Sequence, residues 1–305
     1  FDVSKYLTDG RNRLAVQVFR WSDGSYLECQ DMFRMSGIFR DVYVYDVPKA
    51  AIRDHVLTAK FFENFSDAAL NVNLTLDNRD NVSGSRRLVV KLYNPAGKQV
   101  GEKSVEVALT PGNVTEANIN IHVPHFVAWT AETPNLYTVR IQQFDGDREE
   151  MAFSTKYGFR DIRVANSLVY INGKKVFFKG VNRHDTSPAH GRAVTLSEME
   201  RDILLMKQNN VNTLRTSHYP NSPRLSFLCD YYGMYVMEEA DLEDHANQSI
   251  SDRPSWIPAF MDREERMVRR DRNHPSVIFW SLGNEAGNGA NFKECYERVR
   301  ELDSR

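Results

Sequence analysis

Cysteine is scarce in this chain: three in 305 residues, namely Cys29, Cys229 and Cys295. They are far apart, odd in number and form no CxxC pair, which excludes a disulfide framework and a zinc-knuckle site. Long apolar runs are also missing. The densest patch, Val277-Ile278-Phe279-Trp280, is strand-sized, well short of the ~18–20 apolar residues of a membrane span. Nor is there a charge excess. Lys+Arg 39 against Asp+Glu 41 leaves −2, without the basic surplus that nucleic acid or an acidic membrane would require. No methionine and no signal peptide open the chain; strand-like sequence starts at Phe1, as if inside a domain. What is present is ordinary for a globular protein, 41% hydrophobic and 26% charged. The length suits about two domains of roughly 100–200 residues.

Three rhythms follow one another. Residues 1–46 are aromatic and strand-like, ending in the roughly alternating Ile38-Phe39-Arg40-Asp41-Val42-Tyr43-Val44-Tyr45, with Pro48 as a boundary. Residues 47–157 keep a period of two. Leu70, Val72, Leu74 and Leu76 alternate with polar neighbours, as do Leu88, Val90 and Leu92, and Ala117, Ile119, Ile121 and Val123. Turn sequences such as Asn78-Arg79-Asp80-Asn81, Asn94-Pro95-Ala96-Gly97, Thr110-Pro111-Gly112-Asn113 and Asp145-Gly146-Asp147 separate the runs. About seven strands in ~100 residues predict an immunoglobulin-like β-sandwich. The Asn-x-Ser/Thr triplets at Asn64, Asn73, Asn81, Asn113 and Asn247 read as chance occurrences.

From 158 to 305 strands and helices alternate. Val176–Val181, Val211–Arg215, Met234–Met237 and Val277–Leu282 are short apolar strands. Between them, Thr195-Leu196-Ser197-Glu198 is a capping box that opens a helix with Leu196, Met199, Ile203 and Met206 on one face. Further helices are expected from about Ser222 to Tyr232, Trp256 to Arg272 and Ala290 to Leu302. The charged positions Arg263, Glu264, Glu265, Arg266, Arg269, Arg270 and Arg272 read as one solvated face. Four β/α units make the first half of a (β/α)₈ TIM barrel, which needs eight.

Polar groups gather directly after those strands: Asn182-Arg183-His184-Asp185, Arg215-Thr216-Ser217-His218, Glu238 through His245, and Gly283-Asn284-Glu285. In such a barrel the C-terminal strand ends face the active site, so four ends converge on one place. Glu243-x-His245 with Glu285 suggests a hard-cation site, magnesium or manganese before zinc; solvation of His245 is the plain alternative. Glu285 is the candidate acid/base. Beside Phe279 and Trp280 its carboxyl would lose hydration and hold a proton; pairing to Arg215 or to a metal is the other reading.

These residues carry a resemblance. Gly180-Val181-Asn182-Arg183-His184, Arg215-Thr216-Ser217-His218-Tyr219-Pro220, Asp230-Tyr231-Tyr232-Gly233-Met234-Tyr235-Val236 and Ser281-Leu282-Gly283-Asn284-Glu285-Ala286-Gly287 resemble family 2 glycoside hydrolases, most of all the large bacterial β-galactosidases. Upstream, Arg20 through Glu28 and Met35 through Val42 look like the end of that family's sugar-binding jelly roll, and Trp129 through Tyr137 like the close of its sandwich. The resemblance implies a jelly-roll remnant (1–46), a sandwich (47–157), a half barrel (158–305) and a retaining mechanism with two carboxylates. It makes Glu285 the acid/base, and Glu243, His245 and Glu285 magnesium ligands. His184, His218 and Asn284 become sugar contacts, Arg215 the residue that orients the nucleophile, and Asp31 a contact near the 6-hydroxyl that also ligates sodium. The nucleophile itself would follow a later strand, past Arg305. The chain is thus expected to be an internal, inactive fragment of a β-galactosidase, acting on β-galactosides as part of a homo-oligomer, with no nucleic-acid or membrane partner. A β-glucuronidase or β-mannosidase of the same family, or a non-catalytic sugar-binding scaffold, are the alternatives.

Overall fold

A computed structural model describes all residues except Glu63, Asn64 and Asp80, so the Asn64 triplet and Asp80 of the first turn lie outside the described residues. Seven strands build the sandwich: β1 (Ala50–Phe61), β2 (Asp67–Asn78), β3 (Gly84–Tyr93), β4 (Gln99–Leu109), β5 (Val114–Pro124), β6 (Tyr137–Asp145) and β7 (Arg148–Tyr157). One sheet runs β1-β2-β5 and the other β4-β3-β6-β7, all pairs antiparallel. A period of two sends alternate side chains to one face. Leu70, Val72, Leu74 and Leu76 therefore meet Leu88, Val90, Leu92, Ile119 and Ile141 in one core.

A small sheet that the period did not reveal follows, in the order β10-β9-β8: β8 (Ile162–Ala165), β9 (Leu168–Ile171) and β10 (Lys174–Lys175). Its strands are too short to show alternation. Its turns were the readable signal: Asn166-Ser167 and Asn172-Gly173 hold positive φ at both positions, the type I′ geometry that Asn-Gly favours.

The last region is a parallel sheet in chain order: β11 (Gly180–Arg183), β12 (Thr213–Thr216), β13 (Tyr235–Glu239) and β14 (Val277–Ser281). With α2 (Leu196–Gln208), α3 (Pro223–Tyr232), α4 (Ile257–Asp271) and α5 (Ala290–Leu302) it forms a partial α/β barrel. Thr195 and Glu198 make the capping box of α2, which buries Met199 and Ile203 while Leu196 stays exposed. Gly233 ends α3 at φ 76, where a Cβ would lie 2.3 Å from the Ala131 carbonyl oxygen. No helix among the described residues is long and apolar enough to cross a membrane.

Two expectations need correction. The N-terminal residues hold one α-helical turn, α1 (Gly24–Leu27), and no strand among those described. Val42 and Val44 are exposed. Alternation makes a strand only where a neighbour completes the ladder, and among the described residues none lies beside residues 38–45. The charged helix α4 is likewise not one solvated face. Glu264 is fully buried, Arg263 binds Glu28 and Asp23, and Arg272 binds Asp54 of β1. Only pairs such as Arg266–Asp262 and Arg269–Glu265 follow the i,i+4 pattern.

Candidate active site

All four parallel strands deliver polar side chains at their C-terminal ends, and the most connected of these is Glu239, the last residue of β13. Its carboxylate accepts from Arg215 Nε (2.6 Å) and Nη2 (2.9 Å), from His218 Nδ1 (2.7 Å) and from Ser281 Oγ (2.6 Å). Glu239 is fully buried, and a carboxylate in that position must be held by this many donors. In the sequence it stood within the polar stretch 238–245 with nothing to single it out. Arg215 also donates to Asn284 Oδ1 (3.0 Å), and Asn284 Nδ2 donates to Glu243 Oε2 (3.1 Å). One polar chain thus links the ends of β12, β13 and β14.

Glu243, His245 and Glu285 come together: one ligand atom from each lies within 4.8 Å of the others. His245 Nδ1 is 3.5 Å from Glu285 Oε2. The turn that achieves this is tight. Gly283 has φ 152 and a Cβ there would lie 2.2 Å from the Leu242 carbonyl oxygen, which accepts from Asn284 N at 3.0 Å. Glu285 itself sits at φ 45, a left-handed conformation that costs an L residue of order 1 kcal/mol or more. Such strain is characteristic of functional positions. Asp244 next door accepts from Gly287 N (2.7 Å), and burial raises its pKa. Two carboxylates and an imidazole suit a hard cation that keeps part of its water shell.

The dry pocket expected around Glu285 is not there. Its side chain is 66% exposed and that of His245 60%, so Phe279 and Trp280 do not desolvate it. Arg215 does not pair with Glu285 either, being bound to Glu239.

A cleft is lined by Asp31, Met32, Phe33, His184, Arg192 and Tyr219 among others. The N-terminal residues wall it because they dock on the barrel. Glu243 N donates to Leu27 O (2.6 Å), Gln30 Nε2 to Asp241 Oδ1 (2.6 Å), and Arg40 to Asp185 Oδ2 (2.7 Å). Leu27 is fully buried in the barrel's own core cluster. Burial, with Glu28 nearby, pushes Asp241 up to about 8. The His184 and His218 rings stand edge to face at 5.4 Å. Burial, then the neighbouring His218 and Arg192, hold His184 below its ordinary pKa. Asp31 lines the cleft.

Comparison with known proteins agrees with this layout. Residues 1–48 match the glycosyl hydrolases family 2 sugar binding domain, 50–160 the central glycosyl hydrolases family 2 domain, and 162–305 the family 2 TIM barrel domain. A glycosyl hydrolase family 2 member from Bacteroides cellulosilyticus superposes with a TM-score of 0.75 at 27% identity, covering 84% of this chain and 36% of that one. A β-glucuronidase from Ruminococcus gnavus gives 0.72 at 24%, covering 84% and 42%. One from Parabacteroides merdae gives 0.72 at 22%, covering 84% and 33%. At these identities the two glucuronidases speak to the fold alone. The chain therefore spans between a third and somewhat over two-fifths of these proteins. With the three domains matched in order along it, this chain belongs to glycoside hydrolase family 2.

Proposed function

We propose that the protein hydrolyses terminal, non-reducing β-D-galactosides with retention of configuration, and that Glu285 is its acid/base. The observation that carries this reading is the meeting of Glu285 with Glu243 and His245 at one strand end, beside Asn284 and Arg215. In the first step the Glu285 carboxyl gives its proton to the glycosidic oxygen as the C1–O bond breaks and a second carboxylate bonds to C1. In the next step Glu285 takes a proton from the water that displaces that carboxylate. Glu243, His245 and Glu285 would hold magnesium, a fixed positive charge that tunes and orients the acid. His184, His218 and Asn284 bind sugar hydroxyls, with Asp31 at the cleft wall. Galactoside preference rests on the Ser217-His218-Tyr219-Pro220 and Gly283-Asn284-Glu285-Ala286-Gly287 wording.

Residues 1–305 alone do not turn over in this proposal. Retention needs a second carboxylate about 5–5.5 Å from the first across the reacting carbon. Glu239 is tied up by Arg215, His218 and Ser281, and Glu243 faces the cation position. Nitrophenyl β-galactoside, β-glucuronide and β-mannoside, offered to the whole protein and to residues 1–305, test both parts. The whole protein should release nitrophenol from the galactoside, with chelator slowing it and Glu285→Gln costing about 10²–10⁴-fold. Preference for the glucuronide, or magnesium-dependent release by residues 1–305, overturns the corresponding part.

A further inference from the structure

His184, which lines the cleft, and His218, whose ring meets that of His184 edge to face, have their Nδ1 nitrogens committed in opposite senses. His218 Nδ1 faces Glu239 Oε1 at 2.7 Å, and a carboxylate only accepts, so Nδ1 carries the hydrogen. In the neutral ring Nε2 is then a bare acceptor. His184 Nδ1 faces the Tyr219 hydroxyl at 3.4 Å, and that hydroxyl already accepts from Asp185 N at 3.1 Å. Tyr219 is 2% exposed, and burial raises its pKa, so the phenol keeps its proton. Among the described residues His184 Nδ1 is the acceptor that this proton has, and a buried hydroxyl hydrogen without a partner costs about 1–3 kcal/mol. His184 Nδ1 is thus the acceptor, leaving Nε2–H on the opposite side of the ring as a donor.

We infer that Tyr219 and Glu239 are positioning residues that lock His184 and His218 in opposite tautomers. The pair then presents one donor and one acceptor to the ligand. A sugar hydroxyl both donates and accepts, so this matched pair recognises hydroxyls and disfavours groups that only accept, such as fluorine or a methyl ether. Arg192 supports the arrangement, its guanidinium carbon lying 4.8 Å from the Tyr219 ring centroid and 4.4 Å from that of Phe39. The inference rests on the reading that His184 and His218 meet sugar.

Histidine ¹⁵N spectra of residues 1–305 test it without any turnover. At a pH above the histidine range, His184 should show the Nε2–H pattern and His218 the Nδ1–H pattern. In Tyr219→Phe, His184 should gain a measurable Nδ1–H fraction while His218 keeps its own pattern; the wild-type spectrum decides alone if this variant does not fold. The same tautomer on both rings, or a His184 indifferent to Tyr219→Phe, overturns the inference. Added galactose should then shift both rings, and 4-fluoro or O-methyl analogues should shift His184 more than His218. Opposed tautomers with neither ring moved by galactose would leave the lock standing and sink the sugar reading beneath it.

Discussion

Leu70, Val72, Leu74 and Leu76 of β2 alternate with polar neighbours, and Val42 and Val44 alternate in much the same manner near the N-terminus. The first four are 0–1% exposed; the last two are 52% and 59% exposed. Side-chain period is a property of one strand, whereas burial is a property of the sheet that strand joins. β2 is flanked on both sides by β1 and β5, each paired over at least ten residues. Among the described residues, 38–45 have no such neighbours, and the segment around them is tied to the barrel by polar contacts such as Arg40–Asp185 and Arg224–Asp41.

That contrast can be broken most strongly in the sandwich. Leu74→Ala should cost about 2–5 kcal/mol, because its cavity opens in a core shared by two sheets. Val44→Ala should stay within about 0.5 kcal/mol. Urea unfolding of the two variants measures both, and equal losses would mean that residues 38–45 are packed after all. Next comes the tie itself. Arg263, 14% exposed, donates to Glu28 and Asp23, so Arg263→Ala should loosen residues 23–41 by roughly 1–2 kcal/mol and speed proteolysis there. On the same helix Arg266→Ala should cost at most about 0.5 kcal/mol, its pair with Asp262 being exposed. Indistinguishable digestion of the two variants would refute the docking role.

The smallest effect concerns the seam between sandwich and barrel, where Trp129 Nε1 donates to Asp230 O at 2.9 Å and the Asp230 carboxylate holds His274. Burial opposes the charge on His274, but the adjacent Asp230 overrides it and raises the pKa. A raised histidine contributes stability that is full below its ordinary value and fades as pH climbs through the raised one. The midpoint of thermal unfolding should therefore fall a few degrees between pH 6 and 9, less so in His274→Gln. An identical slope in the two proteins would remove His274 from the account.

How legible all this was depended on how local the cause was. Period two is written into adjacent residues, and the seven sandwich strands followed from it. The Thr195–Glu198 box and the helix Ala290–Leu302 were equally plain, since a cap or an amphipathic face involves one helix. The convergence of Glu243, His245 and Glu285 could be anticipated because parallel strands place their C-terminal ends side by side. Glu239 could not be ranked above Glu238, because what distinguishes them is the partner each meets: Arg215, His218 and Ser281 for one, Arg270 for the other. Exposure of Glu285 is hidden in the sequence for the same reason, since Phe279 and Trp280 are chain neighbours that do not enclose it. Arg263 looked solvated because its partners lie 235 and 240 positions away.

Helix α4 is held at two places, its middle and just past its C-terminus, by parts of the chain outside the barrel. Arg263 grips the N-terminal segment, while Arg272 binds Asp54 and Asn273 exchanges hydrogen bonds with the backbone of His55 and Leu57 on β1. A rod pinned in this way makes two attachments share one displacement: with ~1.5 Å of rise per residue, Arg263 and Arg272 sit about 13 Å apart along it, and any slide that frees one must pull on the other. The N-terminal segment that carries Asp31 and the sandwich edge that carries Asp54 are thus coupled through one helix, although among the described residues they share no direct partner.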